Sequence, residues 1–306
     1  VIVTNDGYLK RLTPKNFKVE EETKLKDDDV ITGVYQTTTL DTLLMFTNMG
    51  NYVYLPIQNI PEVKHRDLGY NVSTLANIDA NEKIIFTVPI DDFEKERYLL
   101  FTTKNGLTKR THIRDMVATR YSKALKATKI RDGDELVSVD ICNGTTDEVA
   151  VITKEGYINR YNSNEISIMA PPSFGVKALE MKNRPDDQVV GSYFIKPEDL
   201  IVVLTIKGNV KRLKPDEIVL GKKNHVGKQY VQMTKTSPND VIDADVIRKA
   251  NANAELDSFV FGNKGFNKVE YSAIRAAVAN TGKKVADNNI GTPEKLIITK
   301  NNNDFC

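Results

Sequence analysis

The chain has 306 residues, 43 Lys and Arg against 41 Asp and Glu, 40% apolar residues and no Trp. That length admits two domains or one large all-β unit, and the absence of an apolar run of 18 residues excludes a membrane-spanning helix. A net charge of +2 does not by itself mark a polyanion partner, so the distribution of charge has to decide. Cys142 and Cys306 make neither a metal set nor a disulfide framework, which fits a reducing cytosol. Val1–Gly7 lacks the features of a signal peptide and begins inside a strand-like pattern, as a piece of a longer cytoplasmic protein would.

In chain order, one pattern recurs six times: four apolar residues, a polar turn, Gly, and often a basic pair. The copies are Val1–Leu12, Leu43–Leu55, Leu99–Thr111, Val149–Tyr161, Ile201–Leu213 and Phe259–Val269. Their glycines, Gly7, Gly50, Gly106, Gly156, Gly208 and Gly265, are 43, 56, 50, 52 and 57 residues apart. Each copy reads as a β-hairpin whose turn needs a residue at positive φ, which Gly supplies without a Cβ clash. Some 20–30 residues on, a polar turn leads into another apolar run: Val30-Ile31, Ile84–Phe86, Leu136-Val137, Val189-Val190, Val241-Ile242 and Leu296–Ile298. Four strands per unit at a period near 50 predict an all-β, six-bladed, propeller-like ring of four-stranded blades. The blades start near residues 1, 43, 98, 149, 200 and 258 of one domain covering 1–306. Tyr271–Ala279 is the one stretch of clear helical composition.

The residues of a catalytic centre do not assemble. His65, His112 and His225 are far apart and lack metal-helix spacing. No nucleophile elbow and no CxxC pair occur. Gly221–Lys228 differs from a phosphate-binding loop by one extra residue, and Gln229 stands where a magnesium-binding hydroxyl belongs. Asp27, Asp28 and Asp29 lack the alternating ligands of a calcium loop and read as a solvated turn. The matches to the glycosylation pattern at Asn71 and Asn143 are chance in a cytosolic chain. No catalytic residue, metal or cofactor is expected.

The basic residues carry the functional signal. The third and fourth positions after the turn glycines hold Lys10 and Arg11, Lys109 and Arg110, Arg160, Lys211 and Arg212, and Lys268, while blade two has Val53 and Tyr54. In a ring these positions share a radius and form an interrupted basic band. The stretch 104–131 adds seven basic residues beyond the strand pair, Arg114, Arg120 and Lys123 among them, against Asp115 alone. Lys177 follows, and the stretch 207–235 contributes Lys222, Lys223 and Lys228. These residues are the candidate contacts to a polyanion, since phosphate neutralisation needs cations along a path rather than a fixed geometry. The competing role for the strand positions is structural, pairing with turn carboxylates of a neighbouring blade.

The repeat hhhhT-x-x-G-x-h-K-R, in six copies across the whole chain, resembles the β-pinwheel C-terminal domains of bacterial gyrase and topoisomerase IV A subunits. Val63–Gly69 after the second hairpin resembles the topoisomerase IV branch in particular. The resemblance implies double-stranded DNA bound and bent on the outer rim, within a homodimer of A subunits working with an ATPase B subunit. It also implies that the cleaving tyrosine lies outside this chain. The gyrase branch carries a box close to QRRGGRG after its first hairpin. Here that loop reads TPKNFKVEEETKLK over 13–26, so the resemblance implies decatenation and relaxation rather than full wrapping. A divergent gyrase and a protein-binding propeller are the alternatives; the basic band and the lack of Trp-Asp repeats weigh against the latter.

Overall fold

The computed structural model describes residues 1–17, 23–79, 81–120, 122–143, 148–233, 238–251, 258–271, 274, 276 and 282–305. Most of Tyr271–Ala279 lies outside them, so the expected helical stretch there is not addressed.

Each repeat folds as the sequence predicts, into a hairpin plus a later strand. In blade one, Ile2–Thr4 pairs with Tyr8–Lys10, with Val3 opposite Leu9, and Ile31–Val34 lies on the other side of Ile2–Thr4. The turn is a three-residue loop in which Gly7 N–H donates to Thr4 O at 3.1 Å and Gly7 sits at φ 79°. The threonine of the repeat has its own role there. Thr4 Oγ1 accepts from the N–H of Tyr8 at 3.1 Å, and Thr47, Thr103 and Thr153 repeat the bond in blades two, three and four. Blade six departs from this. Gly262 stands in place of the threonine and pairs with Gly265, so its turn is a two-residue loop and Gly265 lies in a strand.

In blades one, three and four the acidic turn before the later strand caps the hairpin. Asp29 Oδ1 accepts from the N–H groups of Asp6 and Val30, and Asp134 and Asp187 do the same in blades three and four. Asp29 is therefore a buried cap, which corrects the reading of Asp27–Asp29 as a solvated turn.

The later strands, Ile31–Val34, Ile84–Ile90, Leu136–Asn143, Val189–Ile195, Val241–Ile247 and Pro293–Ile298, succeed one another around the centre. They form the inner layer of a six-bladed, propeller-like arrangement. The fourth strand of a blade comes from the next repeat. Tyr70–Asn71, after the second hairpin, pairs with Tyr8–Lys10 of blade one. Leu125–Lys126, Val176–Lys177, Lys228–Gln229 and Lys283–Lys284 likewise complete blades two to five as their outermost strands. Among the described residues blade six has three strands. Its junction with blade one is made at the axis, where Lys300 N–H donates to Thr32 O and Val34 N–H to Lys300 O, both at 2.8 Å.

Apolar side chains pack between successive blades. Leu44, Phe46, Leu99 and Phe101 belong to one such layer, and Ala150, Ile152, Ile201 and Val203 to another. No helix is long and apolar enough to cross a membrane among the described residues.

Candidate nucleic-acid interface

In blades one to five the second hairpin strand is flanked by the first strand on one side and the exchanged strand on the other, and its lysines turn inward. Blade six has no exchanged strand among the described residues, and its Lys268 is exposed. Lys10, Lys109 and Lys211 are 0%, 1% and 2% exposed. Lys109 Nζ donates to Ala127 O at 2.9 Å and Ser173 Oγ at 3.0 Å, tying the loops of blades three and four together. Lys211 Nζ donates to Tyr230 O at 2.6 Å, and Lys10 Nζ to Thr23 Oγ1 at 2.7 Å and to Lys24 O. In blade four, Asn159 takes the place of lysine and donates to Lys222 O and His225 O at 3.1 and 3.3 Å. Burial disfavours the charged amine. It pushes Lys109 down to about 8 and moves Lys10 and Lys211 in the same direction.

The arginines one residue on are latches between blades. Arg11 Nε donates to Ile60 O at 2.5 Å, and Arg110 Nε to Ile166 O at 3.0 Å. Arg160 Nη1 reaches Pro215 O at 2.6 Å and Ile218 O at 3.0 Å. Arg212 Nη1 reaches Tyr271 O at 2.5 Å and Ile274 O at 2.8 Å. The acceptors lie at or just after the short 3₁₀ turns that follow the next hairpin, such as Ser163–Glu165 and Pro215–Glu217. A guanidinium satisfies carbonyls such a turn leaves open. In blade two Tyr54 stands at this position and stacks on Phe93, while Tyr52 Oη donates to Met116 O of blade three at 3.2 Å.

The structure thus places Lys10, Arg11, Lys109, Arg110, Arg160, Lys211 and Arg212 within and between blades, and they do not form the expected surface band. Partnership with carboxylates of an adjacent blade is seen for Arg160, whose Nη2 is 3.7 Å from Asp216. Its closer carboxylate, Glu148 at 2.5 Å, belongs to its own hairpin.

The other candidates are at the surface. Arg114, Arg120, Lys123, Lys177, Lys222 and Lys228 are exposed and Lys223 is half-buried. The fold adds a relationship between them that the linear pattern hid. The outermost, exchanged strands of four successive blades, two to five, carry exposed lysines: Lys126, Lys177, Lys228, Lys283 and Lys284. Lys126 Nζ donates to Met49 O at 3.2 Å, and Lys177 pairs with Glu180 at 2.8 Å across an exposed contact that contributes little to stability. Lysines here also discourage edge-to-edge pairing of the open strand.

A second glycine set positions these strands. Gly69, Gly175, Gly227 and Gly282 stand just before the exchanged residues, 17–19 residues after a turn glycine, with Ala124 at the equivalent place in blade three. A Cβ on Gly227 would come within 2.5 Å of Ile158 O, and one on Gly282 within 2.7 Å of Val210 O. The Gly-x-Lys or Gly-Lys signal at this spacing was present in the sequence and would have located Lys283 and Lys284.

Charges pair with one another at the axis. Carboxylates gather at the axis, where Arg248 binds Asp140 at 2.7 Å and Asp199 at 3.3 Å, and Lys300 binds Asp245 at 2.7 Å. The outermost strands of blades two to five carry cations and no carboxylate. No group of three His, Cys, Asp or Glu side chains able to hold a metal occurs among the described residues.

The family model of the DNA gyrase C-terminal domain, a β-propeller, matches residues 41–91, 97–143, 147–196 and 199–247, the hairpins and inner strands of blades two to five. The chain belongs to this family. It is 35% identical over 244 residues to the DNA topoisomerase 4 A subunit of Bacillus subtilis (strain 168), covering 79% of this chain and 30% of that protein. Identity to the Staphylococcus aureus protein of the same name is 30% over 248 residues, 80% of this chain and 30% of the relative. The chain therefore spans under a third of the length of these relatives. A crystal structure of the C-terminal domain of DNA topoisomerase IV superposes with a TM-score of 0.87 at 29% identity, covering 97% of this chain and 91% of that one. The DNA gyrase A C-terminal domain superposes with a TM-score of 0.70 at 21% identity, over 98% of each chain, a likeness of fold.

Proposed function

We propose that this chain is the DNA-binding and DNA-bending module of a topoisomerase IV A subunit, without chemistry of its own. It holds a duplex on its rim and presents it for strand passage. The observation that carries this is the run of exposed lysines on the exchanged strands of blades two to five, flanked by Arg114, Arg120, Lys123, Lys222 and Lys223. Cations spaced along an outer path suit the phosphates of a duplex bent round the ring. The strand-cleaving tyrosine belongs to the rest of the A subunit, which acts as a homodimer, and the ATPase to a B subunit. Such a protein works in the cytoplasm, on the nucleoid.

The test is a topology assay of the reconstituted enzyme with and without this domain. Decatenation and relaxation should fall at least tenfold on its removal, and adding it should confer no negative supercoiling activity. Unchanged decatenation after removal would contradict the proposal.

A further inference from the structure

Half of the exposed large apolar side chains among the described residues lie in the segments that supply exchanged strands to blades two to four: Val117, Ile168, Phe174, Val219, Leu220 and Val226. Four of these occupy two equivalent positions. Ile168 and Leu220 are each bridged to the latch arginine of the preceding blade, Arg110 and Arg160. Phe174 and Val226 each immediately precede the strand-positioning glycine, Gly175 and Gly227. The bridged position holds Glu62 in blade two and Ala276 in blade six, so the large apolar pair is a property of blades four and five.

Isolated surface apolar residues need no explanation. These do not stand alone. They are 42–57% exposed and recur in register, and cations stand beside Phe174, Leu220 and Val226. Leu220 and Val226 share an open groove of about 700 Å³ with Lys222, His225 and Lys228 and a single carboxylate, Glu180. The Phe174 ring lies under Lys129 Nζ at 5.8 Å and the Arg131 guanidinium at 5.7 Å. A polyanion that lays phosphates on the lysines brings its own apolar surface, the deoxyribose edges of the minor groove, to the ground between them. Apolar side chains that enter the minor groove part the base steps they meet and kink the duplex toward its major groove, and a duplex bent in this way can follow more protein surface.

We propose that Ile168, Phe174, Leu220 and Val226 form a two-blade apolar wedge that packs into the minor groove of the bound duplex and sets where it bends. The inference rests on the reading of the rim as a DNA surface. In it, the lysines supply affinity and the wedge supplies bend.

The experiment uses the whole chain and a 30-base-pair duplex labelled at both ends for energy transfer. Binding is followed by anisotropy in the same titration, and melting temperature is measured for every variant. Leu220→Ser with Val226→Ser should leave the melting temperature and salt dependence unchanged, shift the dissociation constant less than about threefold, and at least halve the transfer change at saturation. Ile168→Ser with Phe174→Ser should do the same. Leu220→Met with Val226→Leu should keep the full change. Undiminished transfer in both serine variants overturns the wedge, as does loss of transfer strictly proportional to loss of binding. If the serine variants bend DNA normally but lose association with the purified remainder of the A subunit, the patch is a protein-docking surface and the wedge is again overturned. A parent chain that fails to bind duplex at low salt would sink the rim reading itself, a result separable from all of these.

Discussion

Arg160 in blade four donates through Nη1 to the backbone oxygen of Ile218 in blade five at 3.0 Å, while its Nε holds Glu148 at 2.5 Å. The bond joins two blades through a charge that the repeat pattern alone would assign to the surface. Arg11, Arg110 and Arg212 make the corresponding contact at their own junctions.

Removing a latch should therefore lower stability and leave phosphate contacts alone. Arg160→Ala strands two carbonyls and a half-buried carboxylate, at a cost of about 2–4 kcal/mol. Urea unfolding should show that loss, while the salt dependence of DNA binding at a temperature where both proteins are folded should match the parent.

Lys109 gives a pH signature. Its folded-state pKa of about 8 lies below the 10.5 of the free side chain. Between those values the unfolded chain binds more protons than the folded one, so stability rises with pH there. The penalty of burying the charged amine is present in full below pH 8 and is relieved as pH climbs toward 10.5. Relative to Lys109→Met, the parent should gain up to about 3 kcal/mol between pH 7 and 10. Denaturant midpoints at the two pH values check this; parallel shifts in both proteins would contradict it.

A glycine that positions an exchanged strand and one in an open turn separate collision from backbone strain. Gly227 and Gly133 share nearly the same φ, 78° and 75°, but a Cβ meets Ile158 O at 2.5 Å in the first and nothing within 4 Å in the second. Gly133→Ala should cost about 1 kcal/mol from conformation alone. Gly227→Ala should cost at least about 2 kcal/mol and displace Lys228, weakening DNA binding. Thermal melts and a binding isotherm on the two variants suffice.

Blade one's outer strand, Tyr70–Asn71, carries no lysine, whereas blades two to five do. A path of that extent can bend a duplex without closing a full turn, since bending a 20–30 base-pair site costs on the order of 1–6 kcal/mol and contacts must offset it along the whole length. A DNA circle relaxed in the presence of the chain and then stripped of protein should show almost no change in linking number. A large shift proportional to added protein would indicate a gyrase-like wrap.

The hairpins and inner strands were legible because Gly at a positive-φ turn after four apolar residues leaves few other readings, as in blades one to five, and because the apolar runs of all six repeats recur in phase. The exchanged strands were not, being two residues long with no alternation to read. The strand residues Lys109 and Arg110 were misread for a related reason. Spacing places a residue on a strand, but whether its charged end meets solvent depends on the neighbouring blade, and here the carbonyls of Ala127 and Ile166 meet it instead. Lys228 lies within a basic loop and Lys177 stands alone between the two basic stretches, whereas Lys283 and Lys284 lie beyond both stretches and were missed.

The division of labour between rim and interior is the central claim, and the salt dependence of duplex binding tests it most directly. Each lost phosphate contact should lower the slope of log K against log salt by about 0.9. Replacing Lys126, Lys177, Lys228, Lys283 and Lys284 with Gln should therefore lower the slope by about 4.5 and leave the melting temperature unchanged, while Lys109→Met should leave the slope untouched. A rim variant that retains the parent's slope, or a Lys109 variant that loses part of it while folded, would contradict the account.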